Sequence, residues 1–254
     1  LEIELQKALQ QNGLEVWYQP KVNARDFTIN GAEALVRWKH PVEGYISPAA
    51  FIPVAERAGL IEQLGRVVMR EVFATVKRWK MQGILPGRVA INLSPEQFGN
   101  PKLIDYVEKL LRSTELDPSA ITFELTESAV MSDSDHTLQM LNAIKKLGFA
   151  LSIDDFGTGS SSLEKLSQLP FNELKIDRSF IQGITTEQKD KNIVRSICGL
   201  AKSLNISIVA EGVEDEETFS LLDEYGINLA QGYFIDKPMP LEAITVLNKE
   251  KKYV

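Results

Sequence analysis

The segment ITFELTESAVMSDSDHTLQMLNAIKKLGFALSID, residues 121–154, contains two short runs of β-branched and apolar residues, 121–126 and 149–154. Their length and composition are typical of buried strands. Four apolar residues between the runs are spaced as on one face of a helix: Leu138, Leu141, Ile144 and Leu147. Gly148 then follows, as is common just after a helix ends. The segment therefore predicts one strand–helix–strand unit.

The same alternation of short strand-like runs and longer helical patterns continues along the chain after residue 80. The further strand candidates are RVAINL (88–93), FNELKID (171–177), ISIVAEG (206–212) and INLAQGYF (227–234). A second stripe with helical spacing lies within 193–204. Several strand candidates are apolar on both faces, as expected for strands that separate an inner barrel core from outer helices.

The first forty residues follow a different pattern. Two strand candidates, LEVWYQPKV (14–22) and FTINGAEALVRW (27–38), are separated only by NARD. Such a short link permits only an antiparallel pair, because a parallel pair needs a crossover of a dozen or more residues. With these two, the chain has eight strand candidates. We therefore predict an α/β fold, a modified TIM (β/α)8 barrel with one early strand antiparallel to the rest and helices near 48–59 and 62–81.

The chain has 254 residues, of which 44% are hydrophobic and 25% are charged, as in soluble globular proteins. This length fits two small domains or one large barrel. We favour a single barrel domain over 14–254, preceded by an amphipathic linker helix in 1–13 that enters from an upstream region. The sequence starts at Leu1 without a methionine, so we expect that it was cut from a longer protein.

Charge and composition exclude several classes of function. The chain has 28 Lys and Arg against 35 Asp and Glu, a net charge of −7, and no basic stripe, so we expect no binding to nucleic-acid polymers. Its apolar runs are too short for a membrane helix and it shows no signal segment, so we expect a soluble, cytoplasmic piece. The single cysteine, Cys198, excludes an internal disulfide and a cysteine zinc site.

Polar residues end or interrupt almost every predicted strand. They are Gln19, Glu33, Asn92, Glu124, Asp154, Asp155, Lys175, Asp177, Glu211 and Gln231. Any one of them is readily explained as a cap or a solvated residue. In a β/α barrel, however, the C-terminal strand ends meet at one mouth, where the chemistry of such enzymes takes place. Carboxylates that converge there repel one another and need cations or protons. The pattern therefore predicts a divalent-metal cluster.

Carboxylate and amide oxygens suit Mg²⁺ or Mn²⁺ better than zinc. The two histidines, His40 and His136, lack the HExxH spacing and are expected at the surface. Adjacent Asp154 and Asp155 can bridge two ions, as in two-metal phosphodiester cleavage. Lys175 would add a positive charge close to the charge that develops in the transition state.

Three other local patterns are weaker. Residues 155–157 spell DFG, but neither the HRD loop nor the VAIK strand of a kinase accompanies them. The sequence GTGSSS (157–162) lacks the GK[ST] ending of a P-loop and is interpreted as a loop over the barrel mouth. Glycoside hydrolysis needs only two acids and leaves Asn92 and Lys175 unexplained. Trp17, Trp38 and Trp79 could stack on sugars, although tryptophans more often pack in the core.

Several motifs together resemble the EAL-domain cyclic-di-GMP phosphodiesterases of bacterial signalling. They are YQPKV, EALVR, INLS, FELTES, DDFGTGSSSL, LKIDRSF, AEGVE and QGYFIDKP, in the family's order over about residues 14–240. The resemblance implies hydrolysis of one phosphodiester of cyclic-di-GMP to linear pGpG with Mg²⁺ or Mn²⁺, on a barrel with one reversed strand. It also implies a homodimer and, in the full-length protein, an upstream sensory or GGDEF domain and in some cases an inner-membrane anchor.

The resemblance further implies a role for each site residue. The implied ligands of the first metal are Glu33, Asn92, Glu124 and Asp154, and those of the second are Asp154 and Asp155. The implied catalytic residues are Glu33, Asp155, Lys175 and Glu211. The implied substrate contacts are Gln19, Leu35, Arg37, Asp177 and Gln231. Lys175 would contact the attacking water or the phosphate, Glu211 would orient water or act as a base, and Glu127 would anchor the DDFGTG loop and couple it to the dimer interface.

One position departs from the family pattern: Ser160 stands where a tyrosine commonly follows DDFGTG. We expect this change to alter loop packing or dimerisation and to leave the chemistry intact. Ca²⁺ is expected to inhibit, because its longer bonds would misplace the attacking water. The alternatives are a catalytically silent receptor for cyclic-di-GMP and a barrel hydrolase with another substrate. Silent receptors usually lack a metal-site acid, and this sequence lacks none, so the sequence favours an active enzyme.

Overall fold

The structure of the chain is a computed structural model that describes residues 1–131, 135–159 and 163–250. Eight of the nine strands formed by these residues close into a barrel. The strands are β1 (Leu14–Asn23), β2 (Ile29–His40), β3 (Gly44–Ile46), β4 (Arg88–Asn92), β5 (Ile121–Thr126), β6 (Ala150–Phe156), β7 (Glu173–Ile176), β8 (Ser207–Ala210) and β9 (Leu229–Ala230). The additional strand, β3, pairs only with β2.

The direction of β1 confirms the predicted modified TIM barrel. β1 pairs antiparallel with both β2 and β9, whereas β2 and β4 to β9 run parallel around the rest of the barrel. Gln19 on β1 lies opposite Glu33 on β2, and Lys21 lies opposite Gly31. Because β1 is reversed, Lys21 lies deeper in the barrel than Gln19.

Helices follow most strands and cover the outside of the barrel. They are α1 (Glu2–Gln10), α2 (Pro48–Arg57), α3 (Ile61–Met81), α4 (Pro95–Phe98), α5 (Lys102–Thr114), α6 (Glu127–Val130), α7 (Asp135–Lys146), α8 (Leu163–Gln168), α9 (Arg178–Gln182), α10 (Gln188–Leu204), α11 (Glu216–Leu221) and α12 (Leu241–Glu250), with a 3-10 turn at Pro118–Ala120. No helix in the described part of the chain is both long and apolar enough to cross a bilayer.

The helix-facing layer of the core is apolar. α3 buries a stripe that includes Val68, Val72, Phe73, Val76 and Trp79, which lies against the barrel strands. Burying such side chains stabilises the fold by roughly 1.5–3 kcal/mol each. On α1, Leu5, Ala8 and Leu9 are buried too, although the division of the chain into a linker helix and a barrel domain stays a prediction.

One predicted strand is much shorter in the structure. The apolar pattern over 227–234 yields only the two-residue strand β9. The chain leaves the sheet at Gly232, where an added Cβ atom would lie 2.1 Å from the carbonyl oxygen of Val213. This close approach of two backbones ends the pairing and directs Gln231 into the barrel mouth.

Candidate active site at the barrel mouth

The polar residues predicted at the strand ends converge at one end of the barrel. Glu33 comes from β2, Glu124 from β5, Asp154 from β6 and Lys175 from β7. Glu211 follows β8 directly. The parallel direction of these strands brings their C-terminal ends together, as in other β/α barrels.

Lys175 lies at the centre of this cluster and is fully buried. Its Nζ atom is 2.7 Å from a carboxylate oxygen of Glu211, 3.0 Å from Glu124, 3.0 Å from Asp154 and 3.4 Å from Glu33. Burial opposes the charged ammonium group, but the surrounding carboxylates outweigh burial and raise the pKa of Lys175. One cation therefore faces four acids.

Glu33 is the most heavily bonded of these acids. It accepts hydrogen bonds from the side-chain amides of Asn92 and Gln231, both at 2.6 Å. Burial alone would raise the pKa of Glu33, but Lys175, Lys21 and the two amides lower it to about 2. Glu33 is therefore held as a carboxylate.

The other acids of the cluster, when ionised, carry more negative charge than the nearby lysines can neutralise. Burial raises the pKa of Glu124 to about 7 and that of Glu211 to about 8, in spite of the positive charge of Lys175. Burial, and then the charge of Asp154, raise the pKa of Asp155. Such a cluster is stable when it takes up protons or cations.

The donor set fits a hard divalent cation. Asp154, Asp155 and Glu211 each offer a carboxylate oxygen, and these three oxygens lie within 4.8 Å of one another. The Oε1 atom of Gln231 is buried and has no hydrogen-bond partner among the described residues, although its Nε2 atom donates to Gln19 and Glu33. Oxygen donors of this kind suit Mg²⁺ or Mn²⁺.

The backbone after β6 turns sharply at the paired aspartates. Asp155 has a φ of +54°, and Gly157 has a φ of +100°. Buried Glu127, at the start of α6, accepts hydrogen bonds on Oε2 from the backbone N–H groups of Gly157, at 2.8 Å, and Gly159, at 3.4 Å. This geometry joins Glu127 to the DDFGTG loop. Ser160 in that loop lies outside the described residues.

Two cavities of about 490 and 360 Å³ adjoin at the mouth, and Leu35 and Asp155 line both. The first is also lined by Gln19, Asp177 and Gln231, and the second by Arg37. Larger open cavities of about 800 and 950 Å³ lie where the strands begin. Glu33, Asp154, Asp155 and Glu211 line the smaller cavities. This lining makes the C-terminal mouth the candidate site.

Two predicted substrate contacts are engaged elsewhere within the chain. The guanidinium group of Arg37 lies 5.6 Å from the ring centre of Trp17 and donates to the carbonyl oxygen of Val36 at 2.9 Å. Asp177 caps α9 by accepting from the backbone N–H of Ser179 at 2.9 Å. Both line a mouth cavity. Each also interacts electrostatically with an acid of the cluster, Arg37 with Glu33 and Asp177 with Asp155.

The structure corrects one expectation about the histidines and resolves another about the tryptophans. His40 is half-buried and not fully at the surface: its side chain is 10% exposed, and its ring lies edge-on to Trp38 at 5.8 Å. Its Nδ1 atom accepts hydrogen bonds from the backbone N–H groups of Val42 and Glu43. His136 is exposed, as expected. Trp38 and Trp79 are buried in the core, whereas Trp17 is half-buried against Arg37.

Sequence reasoning missed two charged residues inside the barrel. Lys21 on β1 and Glu173 on β7 are 3% and 7% exposed. Lys21 lies two positions after Gln19, and Glu173 two positions before Lys175. Alternate residues of a strand share a face, so this spacing was the available signal.

Comparison with known proteins places these features in a family. The family model of the EAL domain matches residues 2–238. The chain is 43% identical over 241 residues to the bifunctional diguanylate cyclase/cyclic di-GMP phosphodiesterase MucR of Pseudomonas aeruginosa, covering 95% of this chain and 35% of MucR. It is 40% identical over 244 residues to the cyclic di-GMP phosphodiesterase NbdA of the same organism, covering 96% of this chain and 31% of NbdA. The chain thus spans about a third of the length of these relatives.

A solved structure agrees with the sequence matches. The PaMucR phosphodiesterase in complex with c-di-GMP superposes with a TM-score of 0.92 at 42% identity, over 95% of this chain and 98% of the solved chain. The two structures therefore share the same fold over nearly the full length of this chain. The chain belongs to the EAL domain family.

Proposed function

We propose that the chain hydrolyses one phosphodiester bond of cyclic-di-GMP to give linear pGpG, with two divalent ions, Mg²⁺ or Mn²⁺. The observation that carries the proposal is the acid cluster around Lys175 at the barrel mouth, where Glu33, Glu124, Asp154 and Glu211 all contact its ammonium group. The similarity to cyclic di-GMP phosphodiesterases supports the same substrate.

The residues that would hold the ions are the oxygen donors at the strand ends. For the first ion they are Glu33, Asn92, Glu124 and Asp154, and for the second Asp154 and Asp155. Bound Mg²⁺ or Mn²⁺ would lower the pKa of a water molecule and stabilise the leaving oxygen of the phosphodiester. The acidic surface of the chain does not oppose an anionic substrate, because divalent ions invert the local potential.

The protein groups would orient the substrate and move the protons. Lys175 keeps its ammonium charged among the acids and would stabilise the negative charge that develops on the phosphate. Glu211, whose carboxylate lies 2.7 Å from the Nζ atom of Lys175, would accept the proton of the attacking water when bound ions keep it deprotonated. Gln19, Leu35, Asp177 and Gln231 would position the nucleotide in the larger mouth cavity.

Arg37 would bind a phosphate oxygen of the substrate. Its planar guanidinium group can form two parallel hydrogen bonds to a phosphate, which a lysine cannot. It lines the second mouth cavity beside Asp154 and Asp155. Its contact with Trp17 would hold the side chain at this edge of the mouth.

The direct test is incubation of the purified chain with cyclic-di-GMP and Mn²⁺ or Mg²⁺, followed by chromatography for pGpG. We expect pGpG from the unmodified chain and less than about a tenth of that rate from Glu33→Ala, because the loss of a metal ligand should cost at least as much as the loss of a partner behind one. Glu71→Ala, at an exposed position on α3, is the matched control and should keep full activity. Tight binding of cyclic-di-GMP without any pGpG would instead identify a silent receptor.

The assembly around the domain is a separate part of the proposal. We propose a homodimer whose interface communicates with the DDFGTG loop through Glu127, and a full-length protein with an upstream sensory or GGDEF domain that can be anchored at the inner membrane. Light scattering of the purified chain across a concentration series tests the homodimer. A constant monomer mass at concentrations that support full hydrolysis would contradict it.

A further inference from the structure

A second layer of charge lies beneath the acid cluster, inside the barrel. The Nζ atom of Lys21 is 2.8 Å from Oε1 of Glu124 and 3.5 Å from Oε1 of Glu173. Glu173 and Lys175 are two residues apart on β7, so both side chains face the barrel interior at successive depths. All of these groups are at least nine-tenths buried.

This layer fixes the orientation of one carboxylate. Glu124 is held on both oxygens, since Oε1 accepts from Lys21 at 2.8 Å and Oε2 accepts from Lys175 at 3.0 Å. Lys21 approaches from the deep side and Lys175 from the mouth side. With Oε1 occupied from below, Oε2 is the oxygen that faces the mouth.

We infer that Lys21 is a positioning residue for Glu124. The inference rests on the proposed metal-dependent function, because its effect would be to present one oxygen of Glu124 to an ion at the mouth. Partners of this kind behind a ligand commonly change metal affinity by about 10–100-fold when they are removed.

A purely structural ion pair would behave differently. Buried charges are costly to leave unpaired, so removing Lys21 could destabilise the barrel without affecting the mouth. Metal affinity measured without substrate separates the two roles, because it reports on Glu124 and does not depend on turnover. Glu173→Gln provides the matched control, since it removes a buried charge of the same layer and leaves the contact between Lys21 and Glu124.

The experiment measures Mn²⁺ binding by the electron paramagnetic resonance signal of free Mn²⁺, with circular dichroism to verify folding. We expect Lys21→Met to raise the dissociation constant for Mn²⁺ about tenfold or more, and Glu173→Gln to change it less than about threefold. Hydrolysis of cyclic-di-GMP by Lys21→Met should recover as Mn²⁺ is raised. This recovery supports the inference when circular dichroism shows that the variant is already folded without metal, because a metal that binds the folded state can also rescue a folding defect.

Each outcome decides the inference. A folded Lys21→Met variant with unchanged Mn²⁺ affinity overturns it. If this variant does not fold, Lys21→Met combined with Glu173→Gln removes both charges of the pair and should show the same weakened affinity; failure of both to fold would make Lys21 a folding residue and also overturn the inference. An unmodified chain that binds Mn²⁺ but does not hydrolyse cyclic-di-GMP contradicts the proposed function alone.

Discussion

Glu127 accepts a hydrogen bond of 2.8 Å from the backbone N–H of Gly157, and so connects the start of α6 to the loop that follows the paired aspartates. The same oxygen accepts from Gly159 at 3.4 Å. We predict that Glu127→Ala lowers kcat for cyclic-di-GMP about tenfold or more, because the loop behind Asp154 and Asp155 loses this anchor. Steady-state kinetics with saturating Mn²⁺ measures the effect.

Glu127→Gln is the matched control for this prediction. The amide keeps an oxygen that can accept from Gly157, so kcat should fall much less than in Glu127→Ala. Equal losses in both variants would show that the negative charge, and not the hydrogen bonds, is what the loop requires. Full activity of Glu127→Ala would contradict the anchoring role.

The backbone conformation of Gly157, in the same loop, predicts an effect on stability. Gly157 has a φ of +100°, and an added Cβ atom would lie 2.8 Å from the ring of Phe180. Gly157→Ala should therefore lower the free energy of unfolding by about 1–3 kcal/mol, which lowers Tm by several degrees.

Gly199 is the control glycine for Gly157→Ala. It lies within α10, and apart from the backbone of that helix no heavy atom of the described residues would lie within 4 Å of an added Cβ atom. Gly199→Ala should raise the free energy of unfolding by about 0.5–1 kcal/mol, because alanine favours a helix more than glycine does. Thermal melts of both variants give the comparison, and a stabilising Gly157→Ala would contradict the strain argument.

The sequence predicted the barrel because its pattern repeats. Almost every strand candidate combines an apolar run with a polar residue at or near its end, so an error in one strand hardly alters the predicted architecture. The strand near 227–234 shows the limit: only Leu229–Ala230 pairs, because Gly232 packs against the backbone of Val213. Such a close approach between distant segments leaves no periodic signal in the sequence.

The site was predictable where polar residues end parallel strands, as with Glu124 and Asp154. Lys21 escaped this rule because β1 runs in the opposite direction, so residues after Gln19 go deeper into the barrel. Strand β3 was also missed from the sequence. Its three residues form a strand because they pair with β2. Both features depend on contacts between elements and not on local pattern.

Ca²⁺ should bind the chain without supporting hydrolysis. Ca²⁺ takes about six to eight oxygen ligands at about 2.3–2.6 Å, whereas Mg²⁺ requires octahedral geometry at about 2.0–2.1 Å. The carboxylates at the mouth can satisfy either ion, so Ca²⁺ should raise Tm by mass action. With Ca²⁺ as the sole metal, we expect less than about a tenth of the rate seen with Mn²⁺. A comparable rate would contradict the two-ion geometry that we propose.

Lys175 and Arg37 should differ in what each contributes to the reaction. Lys175 lies among the acids, 2.7 Å from Glu211, and is placed to meet charge that develops only in the transition state. Arg37 lies at the rim against Trp17 and would hold a phosphate before and during the reaction. An interaction made equally in both states lowers KM without raising kcat.

Lys175→Ala should therefore lower kcat by about 10² or more, which corresponds to roughly 2.7 kcal/mol of transition-state stabilisation, with a smaller change in substrate affinity. Arg37→Ala should weaken the affinity for cyclic-di-GMP clearly, with a smaller fall in kcat. Steady-state kinetics with Mn²⁺, together with calorimetric binding in Ca²⁺ to prevent turnover, measures both. Because Lys175 also offsets the charge of four carboxylates, the affinity of its alanine variant must be measured with the metal sites saturated. If Lys175→Ala then loses affinity and keeps its kcat, Lys175 binds the substrate and does not serve the transition state.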